Sequence, residues 1–233
     1  STGASGGNTD STSFNQTFND DQEIGRLMRT KDFRLAISHA VNRESMSDVL
    51  YLGMSTPRNL LPLPIHPYYP GAHLEEVEID YNPELAKELF DKVGLIDTDG
   101  DGMRNRSDGK GNIVLYTGSE GPNNRYLNLL VDDLAKVGIE LKWREIKRYY
   151  RVIRSNQGYI GPGRGGCAFS GWGGSPSIPP MNWWSHCGPE IGTYVETKGK
   201  DGMGPTGPDP DFLPLAPEGT YPADSTGLFL KYE

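Results

Sequence analysis

The clearest signal in the chain is an apolar stripe that recurs at helical spacing and then gives way to alternation. Phe33, Ala36, Ile37, Ala40 and Val41 follow the i, i+3, i+4, i+7 pattern, which predicts a helix over 32–41. Asn42 suits a cap for a second helix carrying Met46, Val49 and Leu50. Pro57, Pro62, Pro64, Pro67 and Pro70 exclude helix from the next stretch and favour an extended crossing. A third helix is predicted over 83–93, opened by Asn82 and Pro83, striped by Leu85, Ala86, Leu89, Phe90 and Val93, and ended by Gly94. A fourth spans 124–137, with Leu127, Leu130, Val131 and Leu134 facing inward.

Between these helices the pattern changes to strand. FNQT at 14–17 and Ile113–Thr117 read as short strands. Ile139–Glu145 alternates Ile, Leu and Trp with charged residues, as a half-buried strand does. A helix over 147–156 and a strand over 167–172 complete the series. Strands alternating with helices predict an α/β lobe with at least partly parallel strands.

Composition divides the chain into three parts. Residues 1–13 are polar, rich in Gly, Ser and Thr, and expected to be flexible; residues 14–175 carry the periodic elements. Residues 176–233 are rich in Pro, Gly and acids and are expected to wrap over another surface as a return segment and tail. A length of 233 residues allows one or two domains. The formal charge of −8 argues against a nucleic-acid partner. No apolar run approaches the ~20 residues of a membrane helix. No signal peptide opens the chain, so an exported form would already have lost it. Cys167 and Cys187 can close a disulfide or stand as two thiols; neither a CxxC nor a paired-His motif offers a zinc site.

Motifs of catalysis are missing. There is no Gly-x-Ser-x-Gly elbow, P-loop, dinucleotide fingerprint or His-Glu-x-x-His, and the expectation is a protein that is not an enzyme. The acid pairs Glu75–Glu76 and Asp132–Asp133 are expected on exposed faces. Arg34 and Arg43 are expected in surface or inter-element ion pairs. His39, His66, His73 and His186 lack metal spacing and read as structural or exposed.

The stretch DTDGDGMRNRSD at 97–108 resembles a calcium loop. Asp97, Asp99 and Asp101 offer oxygens at alternate positions, Gly102 permits the turn, and Met103 offers its carbonyl, with Asn105 and Asp108 able to complete the shell. Against this, Asp108 stands where a bidentate Glu is wanted, and a strand follows in place of a helix. The plainer reading is a solvated turn from helix to strand, with no cofactor required.

Two stretches carry a family resemblance: KDFRLAISHAVNRESMSDVLYLGMSTPRNLLPLPIHPYYP at 31–70 and DYNPELAKELFDKVGL at 80–95. Their order of helix, Asn-Arg break, short helix, Gly-x-x-x-x-Pro turn, Pro-punctuated crossing and Asn-Pro-Glu helix resembles the family 5 extracellular solute-binding proteins. These are the dipeptide and oligopeptide receptors of ABC importers. The resemblance covers about residues 14–172 and implies an α/β fold: one lobe of a type II periplasmic-binding-protein fold, a mixed sheet flanked by helices, with a loop-rich C-terminal segment. It further implies solute capture by hinge closure between two lobes, and delivery to an ABC permease. The implied receptor is a monomer outside the cytoplasm, periplasmic or extracellular and membrane-anchored in a full-length precursor. The motifs are those of the second lobe, so the chain is expected to be one lobe or a portion of a longer protein.

By the same resemblance, Asn15 and Thr17 fall near the hinge, and Trp172, Gly173 and Ser175 at a strand end facing the solute. Tyr69, Tyr149 and Trp183 are further candidates for ligand contact. Where peptide receptors commonly place an Asp for the ligand's α-amino group this chain has Ser175, and no acid occurs between Arg164 and Glu190. A desolvated ammonium without a carboxylate is costly. That departure, with the tryptophans, keeps two alternatives open: an oligosaccharide receptor of the same fold, or an interaction lobe that binds no solute.

Overall fold

The computed structural model describes residues 11–16, 18, 20–59, 64, 69, 71–119, 124–147 and 160–163. Strand β1 (Ser11–Phe14) leads into three consecutive helices, α1 (Gln22–Arg29), α2 (Lys31–Ala40) and α3 (Arg43–Tyr51). Further along the chain come α4 (Pro83–Lys92), β2 (Val114–Ser119), α5 (Arg125–Ala135), β3 (Glu140–Glu145) and β4 (Ile160–Gly163). Strands β2 and β3 are parallel, with Val114 opposite Glu140 and Ser119 opposite Glu145, and α5 makes the crossover. Strands β1 and β4 pair antiparallel, Ser11 opposite Gly163. Helix α2 packs on α4, α5 on β3, and β4 lies beside β2.

One core joins these layers. Phe33 and Phe90 meet edge to face at 5.8 Å between α2 and α4, and Phe14 reaches Phe33 from β1 at 6.5 Å. Leu27, Met28, Leu95, Ile113, Leu115, Leu127, Leu130 and Ile139 are sealed around them.

Several helix ends are set by single residues, Asn42, Asn82 and Gly94 among them as expected. Asn42 Oδ1 accepts the Ser45 N–H, Asn82 Oδ1 the Leu85 N–H, and Asn124 Oδ1 the Leu127 N–H. Gly94 takes φ +87° just past α4, where a side chain would be strained.

Several expectations shift. The first strand runs over Ser11–Phe14, beginning inside the segment expected to be flexible and ending where the strand was expected to start, and Asn15 follows it. Helix α1 is additional: Asp21 caps the Glu23 and Ile24 N–H groups, and Ile24, Leu27 and Met28 are its inward face. A single extended residue, Thr30, separates α1 from α2. Val49, expected inward, is exposed, because α3 turns only its Met46 side to the core.

Asp133, expected exposed, is buried. Arg34 and Arg43 direct their guanidinium groups to backbone carbonyls, those of Met28 and Arg29 for Arg34 and of Ser38 and Ile79 for Arg43. The helix expected over 147–156 and the strand over 167–172 lie outside the described residues, save Lys147, as do both cysteines.

Candidate functional site

In open α/β sheets a ligand site forms beyond the carboxyl ends of parallel strands. Here β2 ends at Ser119, β3 at Glu145, and α5 begins between them in sequence at Arg125. Asn124 holds that edge together, donating Nδ2–H to Ser119 Oγ at 3.1 Å while its Oδ1 caps Leu127. Gly118 is glycine for a packing reason: a Cβ there would lie 2.2 Å from Ile146 Cδ1.

Strand β1 is fastened to the same helix. Tyr126, in the first turn of α5, has its hydroxyl 2.5 Å from Thr12 Oγ1 of β1. Beyond β1, Asn15 is only 2% exposed. Arg29 donates Nη1–H to the carbonyls of Phe18 at 3.2 Å and Gln16 at 3.4 Å, gripping the chain as it leaves the strand. Burial lowers the pKa of that guanidinium. Tyr126 therefore joins β1, the strand that leads to Asn15, to the first turn of the helix at the sheet's carboxyl edge.

Of the ligand-contact candidates, Asn15 is buried immediately after β1. Tyr69 is elsewhere: its hydroxyl donates to Glu75 Oε1 at 2.8 Å, and Arg58 Nη2 reaches the same oxygen at 3.2 Å. Desolvation, then the Glu75 hydrogen bond, raises the Tyr69 pKa. Thr17, Tyr149, Trp172, Gly173, Ser175 and Trp183 lie outside the described residues.

The 97–108 loop is closed largely by its own backbone. Asp97 accepts N–H groups from Gly100 at 2.7 Å and Gly102 at 3.0 Å; the Gly100 bond leads in lowering its pKa. Asp101 accepts from the Met103 N–H at 2.7 Å and Asn112 Nδ2 at 2.8 Å, and Asn105 Oδ1 from Thr98 N–H and Oγ1. Carboxylate oxygens of Asp97, Asp99 and Asp101 still lie within 4.8 Å of one another. Asp108 is held by Arg106, which bonds it at 2.9 and 2.7 Å and bonds Asp21 of the α1 cap at 2.8 Å twice.

Arg104 is the loop's buried anchor. It donates to the carbonyls of Val137, Leu95 and Lys87 and to Asp91, and lies 5.4 Å over the Phe90 ring. In the sequence it stands as one polar position of the 97–108 stretch. Its part in joining the ends of α4 and α5 depends on residues far along the chain.

The fold is a lobe of the type II periplasmic-binding-protein class. A profile of the bacterial extracellular solute-binding proteins, family 5, matches residues 2–192, and the chain belongs to that family. It is 27% identical over 121 residues to the oligopeptide-binding protein AppA of Bacillus subtilis (strain 168), a match covering 52% of this chain and 22% of AppA. It is 32% identical over 133 residues to a periplasmic alpha-galactoside-binding protein of Rhizobium meliloti (strain 1021), covering 51% and 18%. Among solved structures, the oligopeptide-binding protein OppA superposes with TM-score 0.67 at 20% identity, covering 98% of this chain and 38% of OppA. The chain thus spans well under half the length of the relatives it matches.

Proposed function

We propose that this chain is a solute-binding lobe of an extracytoplasmic receptor that serves an ABC importer and performs no chemistry of its own. The observation that carries the reading is the family match over 2–192 on a lobe in which Thr12 of β1 is bonded to Tyr126 at the sheet's carboxyl edge. A solute seated between this lobe and a second one would favour the closed arrangement by contacting both, and a permease would read that state. The solute class is an oligopeptide, as the name of the AppA relative supports. The protein would act in the periplasm or at the cell exterior; no helix among the described residues is long and apolar enough to cross a membrane.

A specific observation favours oligosaccharide as the second reading. Ser175 replaces the expected acid, no acid lies between Arg164 and Glu190, and an alpha-galactoside-binding protein is among the relatives. Thermal unfolding of the two-lobed parent protein against peptide and α-galactoside panels tests both. A ligand should stabilise the folded state by RT ln(1 + [L]/Kd) and so raise the midpoint as its concentration rises. A shift with peptides supports the first reading and a shift with sugars the second. No shift with either class favours a lobe that serves only protein contacts.

A further inference from the structure

We propose that Leu52 and Met54 form an apolar contact for the second lobe of the receptor, made when the two lobes close on a solute. The proposal rests on the receptor reading above. The placement follows from two hydrogen bonds between α3 and α5. The Asn42 N–H, at the start of α3, bonds Asp133 Oδ2 at 2.9 Å, near the end of α5. Arg125, the first residue of α5, donates from Nη2 to the Val49 carbonyl at 2.9 Å, near the end of α3. The spans between these contacts correspond to about 10.5 Å of α3 and about 12 Å of α5. Helix α3 therefore runs antiparallel along α5, and its end emerges where α5 begins, beside the carboxyl edge of β2 and β3. The turn after α3 is carried to the side on which a solute would sit and which a second lobe would face.

That turn is held from within. The Leu52 N–H bonds the Asp48 carbonyl at 3.1 Å, Gly53 the Ser47 carbonyl at 3.1 Å, and Met54 the Tyr51 carbonyl at 3.0 Å. Ser47 Oγ donates to the Ser55 carbonyl at 2.8 Å, and Ser55 Oγ donates to Ser47 Oγ at 2.8 Å. On this frame Leu52 and Met54 are each 82% exposed, and Val49, one turn earlier, is exposed as well. Leu52 sits at φ +55°, a conformation that glycine would take without strain. Within this lobe its side chain buries too little to offset that strain. Apolar residues scattered singly over a surface are ordinary. A left-handed leucine and a methionine presented together on a hydrogen-bonded turn at the solute edge are not.

The occupant follows from the length of the relatives and from the side on which the turn lies. The chain covers 38% of OppA and 22% of AppA, so a receptor of that length has a second lobe to set against this edge. Methionine is unbranched and adapts to the surface it meets, as a contact made and broken in each binding cycle requires. Burying Leu52 and Met54 only in the closed arrangement would add to the closing equilibrium without touching the solute.

The test is peroxide footprinting of the two-lobed parent protein with stachyose, with a mixture of tri- to pentapeptides, and with neither. Hydrogen peroxide converts an exposed methionine to its sulfoxide, and peptide mass spectrometry reads the rate at Met54. Met28 and Met46 are buried and serve as slow references. Met54 should oxidise about fivefold more slowly, or less still, with whichever probe raises the thermal midpoint. Leu52→Ser combined with Met54→Ser should weaken that probe about tenfold, because closure loses a contact. Both side chains are exposed, so the variant should fold, and circular dichroism checks it. Ile96→Ser should leave the affinity unchanged: Ile96 is exposed beside the loop that Arg104 ties to the far end of α5. A midpoint shift with no slowing at Met54, or with affinity untouched by the double variant, overturns this contact and leaves the receptor reading standing. No shift with either probe overturns both. Slowing in the 233-residue chain alone means that the solute covers the turn, and slowing that grows with protein concentration means that a second copy does. Either result overturns the proposal.

Discussion

Asp133 Oδ2 accepts the backbone N–H of Asn42 at 2.9 Å, joining residues 91 positions apart. Its other oxygen takes Lys136 Nζ at 2.8 Å. Asn42 occupies the break between α2 and α3, and its own side chain caps α3. One buried carboxylate on α5 thus fixes the corner between α2 and α3, which pack against that helix.

Asp133→Ala should cost about 1–3 kcal/mol, because it leaves a backbone N–H at that corner without its acceptor. Asp132→Ala, on the exposed side of the same helix, should stay within about 0.5 kcal/mol. Urea unfolding of the two variants decides the matter. Equal effects would show that the Asn42 contact adds nothing to stability.

The same pair of acids shows what was legible in the sequence. Local signals were readable: the caps Asn42 and Asn82, the stripe of α4, and Gly94 all act where their spacing put them, and Asn124, taken as the first residue of its helix, is its cap. Helix α1 escaped because its 8 residues give only two turns of pattern, and Thr30 interrupts the phase before α2. Asp133 and Arg104 escaped for a different reason. Their partners lie on other elements, and a polar residue at a polar position carries no mark of burial. Asn15 was drawn from family resemblance alone, and its burial at the β1 exit follows from packing that no local pattern records.

Arg106 stands between Asp21 and Asp108 and should make the α1 cap sensitive to acid. Its hydrogen bonds are the first cause lowering the pKa of both carboxyls from the ordinary aspartate value of 3.8. Groups depressed in the folded state contribute stability above that ordinary value and lose it as pH falls through their lower folded values. Arg106→Gln should therefore be less stable than the parent at neutral pH, and the two should converge as pH falls from about 5 toward 2. Thermal midpoints across that range read the difference. A constant gap at every pH would mean that Arg106 acts through packing instead of charge.

Gly25 lies within α1, where Gly→Ala ordinarily stabilises by about 1 kcal/mol. Here the sign should reverse. A Cβ at this position would lie 2.3 Å from the Phe18 carbonyl oxygen, a backbone atom that Arg29 also holds. Gly25→Ala must push α1 away from the β1 exit or displace the chain after Asn15, and should destabilise by about 1–3 kcal/mol. A neutral or stabilising result in urea unfolding would show that this exit moves at little cost.

Leu52 offers the opposite case. It ends α3 at φ +55°, ψ +36°, with its N–H bonded to the Asp48 carbonyl at 3.1 Å, and its side chain is 82% exposed. A left-handed residue of the L series costs about 1–2 kcal/mol, which glycine avoids. Glycine also loosens the unfolded chain, by about 0.4–1 kcal/mol in the other direction. The balance favours Leu52→Gly by up to about 1 kcal/mol, since the exposed leucine has little burial to lose. Leu52→Val should be worse than the parent, because branching at Cβ deepens the strain. Paired thermal unfolding gives the order Gly, Leu, Val from most to least stable. Any reversal would mean that the leucine side chain is covered in the assembled protein.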